Sequence, residues 1–237
     1  TTFDTKGLQI KPFLDQNAKH LSPILTLVGL KKDALLTGKL EYKPGEHLKI
    51  EDGSLPIASG LVKAHGDFDL KQVTSEVEFT AENIHLADLR QNLEAAANTK
   101  GFLSHFFYLP KNKHLEFGGI LTASGKLNSK ANSTVGEGHG LCSGAVLGIS
   151  DGSLNAHKIS GKLSWHDRKL KLDNFHGTVG NGGTFTLRGL ADLKGTPYID
   201  WSIHANHLDL QQLNALMQLM RIQVPLFSEN HLTGTVS

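Results

Sequence analysis

Apolar and polar residues alternate with a period of two along much of the chain. Leu48/Ile50, Leu55/Ile57, Phe68/Leu70 and Val77/Phe79 are interleaved with charged or small residues. Leu170/Leu172, Phe185/Leu187 and Ile199/Trp201/Ile203 repeat the arrangement farther on. Side chains i and i+2 lie on one face of a strand, so this pattern predicts half-buried strands with one apolar face. Turn-forming groups punctuate them at roughly 8 to 12 residues, as in all-β architectures. These are Lys43-Pro44-Gly45, Glu51-Asp52-Gly53, Asn181-Gly182-Gly183 and Gly195-Thr196-Pro197. Three segments read differently. Asp88 to Asn98 is rich in helix formers, and Leu210 to Met220 has apolar residues at Leu210, Leu213, Leu216, Met217 and Met220. Phe13 to Val28 is a third candidate, broken by Pro23. Each predicts a short helix joining one β unit to the next.

The alternating pattern is itself repeated. Gly38-Lys39-Leu40-Glu41-Tyr42 recurs as Gly161-Lys162-Leu163-Ser164-Trp165, an offset of 123 (161 minus 38). In the same order, Leu48-Lys49-Ile50-Glu51 matches Leu170-Lys171-Leu172-Asp173. Gly66 and Asp69-Leu70-Lys71 then match Gly189 and Asp192-Leu193-Lys194, and Ile84, Leu86 and Leu89 match Leu208, Leu210 and Leu213. A Leu-Thr approach to a glycine also recurs, at Leu36-Thr37-Gly38, Leu121-Thr122 with Gly125, and Leu232-Thr233-Gly234. The expected organisation is a first unit over 1–99, a connecting or variable β-hairpin region over 100–159, and a second unit over 160–237 that includes the start of a third. Such a chain reads as a piece of a longer array.

Composition narrows the function classes. A length of 237 residues suits one or two ordinary domains. With 24 Lys+Arg against 23 Asp+Glu, the net charge of +1 gives no support for a nucleic-acid partner. The single cysteine, Cys142, excludes an internal disulfide framework and a multi-Cys zinc site. No run reaches the ~18 apolar residues of a membrane-spanning helix. The chain starts at Thr1 with neither Met nor a signal peptide, so any targeting segment is expected outside it. An apolar content of 39% suits strands with one apolar face better than a thick closed core.

Candidate chemistry is sparse. Gly148-Ile149-Ser150-Asp151-Gly152 has the G-x-S-x-G spacing of a nucleophile elbow, but the residues after it alternate like a strand. A hairpin turn is expected there. His204 and His207 are three apart, which on a strand points them to opposite faces. His65, His157, His166 and His176 sit among charged and turn residues, as solvated histidines do. Gly136-Glu137-Gly138-His139-Gly140 fails both phosphate-loop spacings and reads as a flexible loop or hairpin tip. Asn132-Ser133-Thr134 is an N-glycosylation sequon, relevant to a eukaryotic secretory product. Cys142, with no basic neighbour, reads as a small apolar residue. Glu51/Asp52 head a turn, and Asp67/Asp69 share a strand face opposite Phe68; neither offers enough oxygens for calcium. No catalytic set, metal or cofactor is expected. What remains is the apolar face, which is either the core of a closed sandwich or the open groove of a curved antiparallel sheet. Repetition favours the groove, and an apolar surface of that extent implies a ligand or partner.

Over residues 160 to 214 the chain resembles the AsmA-like proteins, a group that includes TamB-like and YhdP-like envelope proteins built from repeating β-groove units. The resemblance rests on an aryl residue before a Gly-Gly turn, a Gly-terminated strand, and a hydrophobic strand running into L-x-L and a helix. Phe175, Gly182, Gly183, Gly189, Asp209 and Leu213 occupy those places. It is fainter over 36 to 93 and poor over 100 to 118. The resemblance implies a periplasmic protein anchored in the inner membrane of a Gram-negative bacterium through a segment outside this sequence. It implies passage of phospholipid between membranes along an apolar groove, and envelope proteins as possible partners. The implied lining is Leu48, Ile50, Phe68, Leu70, Leu170, Leu172, Phe185, Leu187, Ile199, Trp201 and Ile203. The alternative is a structural scaffold supporting outer-membrane protein assembly or a secretion machine.

Overall fold

The computed structural model describes residues 2–9, 35–90, 114–130, 133–192, 198–219 and 235–236. Eleven strands follow chain order through one sheet. They are β1 (Thr2–Gln9), β2 (Leu35–Lys43), β3 (His47–Ile57), β4 (Gly60–Asp69), β5 (Thr74–His85) and β6 (Leu115–Lys130). β7 (Ser133–Ile149), β8 (Asn155–His166), β9 (Lys169–Val179), β10 (Gly183–Asp192) and β11 (Tyr198–Asn206) complete it. The ladders from β1 to β5 and from β10 to β11 are antiparallel. β1 and β11 each have one strand neighbour in this order, so the sheet is open. A short ladder joins β12 (Leu208–Asp209) to β13 (Thr235–Val236). The fold is mainly β, an antiparallel sheet of repeating units with a short helix, as the alternation predicts.

The helix α1 (Leu210–Leu219) forms where its apolar spacing placed it. Asp209 starts it, its Oδ1 accepting the Gln211 N–H at 2.7 Å, which satisfies a donor that the first turn leaves free. The segment from Asp88 departs from the expected helix at its start: Leu86–Leu89 is a 3-10 turn, and 91–98 lie outside the described residues. Phe13 to Val28, Gly195 to Pro197 and Asn132 also lie outside them.

Two other readings are corrected. Gly136 to Gly140 is no loop but the middle of β7. Glu51-Asp52-Gly53 is no turn but a bulge within β3. Leu40 pairs with Ile50 and Lys39 with Asp52, leaving Glu51 unpaired. A bulge inserts one residue and shifts the alternation by one. Leu48 and Ile50 are therefore buried before it, and Leu55 and Ile57 after it. Gly38 lies opposite with φ of +133°, where a Cβ would collide with the Asp52 carbonyl. In β9 the burial pattern also changes phase near the matching place. Asn174 takes φ of +51°, and burial passes from half-buried Leu170 and Leu172 to Phe175, Gly177 and Val179. Asn83 and His207, which precede the matched Ile84 and Leu208, also share positive φ values of 54° and 53°. The repeat thus extends to the bends of the backbone.

Contacts divide the chain into two units. The first comprises Thr1–His85, Leu121–Leu141 and Ser164–Leu170. Its apolar face closes on Leu36, Leu40, Leu48, Ile50, Leu55 and Ile57, with Leu40 at 1% exposure. Burying a leucine this completely stabilises by about 2 kcal/mol. Trp165 crosses the same face and stacks on Phe79, with ring centroids 6.0 Å apart and planes 14° from parallel. It can do so because Gly125 and Gly138 carry no side chain beneath it; a Cβ on Gly125 would fall 2.6 Å from Trp165 Cζ2. The second unit comprises Leu86–Ile120, Cys142–Leu163 and Lys171–Ser237. There α1 packs Ala215 and Leu216 against Ile149, Leu154, Leu115 and Leu147. Gln212 ties the helix to the β7–β8 turn, accepting from Asn155 N–H at 2.7 Å and donating to Gly152 O at 3.2 Å.

Valine is a better strand former than glycine, yet Gly138→Val is expected to destabilise the protein by about 2 to 3 kcal/mol, because its side chain displaces Trp165. Urea denaturation measures this. Combination with Trp165→Ala should cost less than the sum of the two single changes, and a Gly138→Val protein as stable as the parent would contradict the packing.

Candidate functional site

Register decides which of the expected lining residues share a face. In the first unit Leu48 pairs with Phe68 and Ile50 with Gly66, so Leu48, Ile50 and Phe68 point the same way. Leu48 and Ile50 are shut off from solvent at 2% and 5% exposure, whereas Phe68 is half-buried. Leu70 follows the end of β4 in a turn, its N–H donated to Glu46 O at 2.8 Å. Asp69 shapes that turn by accepting the N–H groups of Lys71 and Gln72.

In the second unit the register of β10 and β11 sets the face. Leu187 pairs with Ile203 and Gly189 with Trp201, two steps apart, and Phe185 is two residues before Leu187. Phe185, Leu187, Trp201 and Ile203 therefore line one face, and all four are half-buried. Thr184, Arg188, Asp200, Ser202 and His204 occupy the other face, exposed. Arg188 is held there by two hydrogen bonds to Asn174 Oδ1, from the β9 residue of positive φ. Leu172 is half-buried on β9, and Leu170 is half-buried but grouped with the first unit. Ile199 is aligned with Ala191, and its side chain lies outside the described residues.

One atom on this face is out of place. Trp201 Nε1 is buried with no hydrogen-bond partner. The indole covers Gly189, where a Cβ would stand 2.9 Å from Nε1. A buried donor left unpaired costs about 1 to 3 kcal/mol, so its position calls for an explanation.

The alternation gave no sign of a second feature, a cleft of about 730 Å³ in the first unit, lined by charged residues together with Phe79 and Trp165. Its lining includes Lys63, His65, Glu78, Lys126, Glu137 and His166, and the charges are matched with one another. His65 meets Glu78 at 3.0 Å, His166 meets Glu137 at 3.3 Å, and Lys63 meets Glu82 at 3.0 Å. Lys126 bridges Glu76 and Glu78, and its hydrogen bond to Glu76 holds its ammonium above the usual lysine range. Ser124 Oγ and His139 Nε2 lie 3.2 Å apart. Cross-strand pairs of this kind hold neighbouring strands in register. The signal for the cleft was the alternating Gly136, Gly138 and Gly140, whose intervening residues Glu137 and His139 are exposed.

The other sequence candidates have local structural duties. Gly148 to Gly152 spans the end of β7 and its turn into β8, a strand rather than the helix that an elbow requires. Ser150 Oγ accepts the His114 N–H at 3.1 Å, and Ser150 N–H donates to His114 O at 2.9 Å. Cys142 is 6% exposed, and burial raises its thiol pKa. Among the described residues no three His, Cys, Asp or Glu side chains gather as metal ligands, and no helix is long and apolar enough to cross a membrane.

No family model, curated protein or solved structure matches the chain. Functional assignment therefore rests on the faces themselves. The first unit's cleft carries ion pairs beside two rings, and the second unit's apolar face leaves Phe185, Leu187, Trp201 and Ile203 half-covered.

The raised thiol pKa and burial of Cys142 give a direct check. Alkylation by iodoacetamide at pH 8 should be at least tenfold slower in the native protein than in urea. Equal rates would mean that β7 is open at this position.

Proposed function

We propose that this chain is a lipid-binding, lipid-conducting module of a Gram-negative cell-envelope protein of the AsmA-like kind. In this reading it lies in the periplasm, is anchored to the inner membrane by a segment outside this sequence, and passes phospholipid between membranes. The observation that carries the reading is the aligned, half-buried row of Phe185, Leu187, Trp201 and Ile203 beside an exposed polar face. Acyl chains laid on such a row leave water at a gain of about 0.8 kcal/mol per buried methylene. The mechanism is passive. An apolar surface favours a chain anywhere along its length, so a chain slides without a chemical step and no nucleophile or metal is required.

A second reading, a structural scaffold for outer-membrane protein assembly or a secretion machine, draws on the first unit. There Leu40, Leu48 and Ile50 are closed off as in an ordinary core. The two readings part on substitution. Phe185→Asp should leave the fold intact and abolish recovery of phospholipid by native mass spectrometry, while Leu48→Asp should unfold the protein. If the parent protein carries no phospholipid after extraction from membranes, and none is taken up from phosphatidylethanolamine vesicles, the conducting role is wrong and the scaffold stands.

A further inference from the structure

Resting on the lipid reading, the geometry points to the Trp201 indole N–H as a polar anchor in the second unit's apolar face, donated to the ester carbonyl of an acyl lipid. Three observations meet here. Nε1 is buried with no partner, on a face otherwise lined by Phe185, Leu187 and Ile203. A hydrocarbon ligand gives such a donor nothing, whereas an ester carbonyl lies where acyl chain meets glycerol and supplies one acceptor in an apolar setting. The indole also rests on Gly189, which sets Nε1 against the floor of the face, so a carbonyl meets it once the ring tilts off that glycine.

The internal repeat supplies the control. Gly66 stands where Gly189 does, and the residue paired with it is Val77, whose Cγ2 would lie 3.0 Å from a Cβ at Gly66. The same pit is thus filled by valine in one unit and by tryptophan in the other. Filling the pit does not require a donor, so the N–H is an addition specific to the second unit.

A hydrogen bond gained at this point corresponds to about a fivefold preference for a carbonyl-bearing lipid. The test compares dioleoyl phosphatidylcholine with its diether analogue, which has the same chains and head group but no ester carbonyls. Binding to the intact chain is read by native mass spectrometry in competition. The parent should favour the diester about fivefold. Trp201→Phe, which keeps a ring, and Trp201→Val, which copies the first unit's pairing, should bind both lipids equally, at the parent's diether level. A preference that survives in both variants, or a parent that does not discriminate, overturns the anchor while leaving the lipid reading in place. Failure of the parent to bind either lipid overturns the lipid reading and the anchor with it.

Discussion

A strand shows its side chains to two faces in strict alternation, and one extra residue exchanges those faces. Everything in this protein depends on how the chain handles that constraint. At Glu51 and Asp52 a residue is inserted and the sequence pattern changes phase with it, and the burial pattern of β9 changes phase near Asn174, where φ is +51°. Ile50 before the bulge and Leu55 after it remain on the buried side. Without the matched change of phase, half of each long strand would present its apolar residues to water. The bulge also bends its strand, which a sheet needs if one face is to become concave.

The second constraint is space on the inner face. Rings and large side chains are laid over glycines of neighbouring strands: Trp165 over Gly125 and Gly138, Phe175 beside Gly161, Trp201 over Gly189. Each glycine weakens its own strand, and the covering ring returns buried area at the same spot. In the first unit Leu40, Leu48 and Ile50 are buried, while Phe68, Val77, Phe79 and Trp165 stay half-buried. In the second unit, Phe185, Leu187, Trp201 and Ile203 stay half-covered.

Much of this was legible in the residues. The period of two gave the strands, and the matches from Gly38 to Leu89 and from Gly161 to Leu213 gave the repeated unit. Asp209 and the spacing of Leu210, Leu213, Leu216 and Met217 gave the helix. Glu51-Asp52-Gly53 misled because a bulge and a turn call for the same residue types. The phase change from Leu48/Ile50 to Leu55/Ile57 carried the missing information. Gly136 to Gly140 misled for a related reason: alternating glycine resembles a loop until its interleaved Glu137 and His139 are recognised as the outer face of a strand. The stack of Trp165 on Phe79 and the orphaned Trp201 N–H depend on pairing between distant segments, to which single-strand periodicity is blind. Exposure separated Leu48 and Ile50 from Phe185 and Ile203, although all four fit the same sequence pattern.

The central claim is that one face of the second unit meets acyl chains and the opposite face does not. Leu187 and Arg188 are adjacent in β10 and point to those two faces, half-buried and exposed respectively. A photo-crosslinking amino acid placed at each position in turn, in cells or against phosphatidylethanolamine vesicles, tests the claim most directly. The account predicts lipid adducts from position 187 and none from position 188. Equal labelling from both, or none from 187, would contradict it.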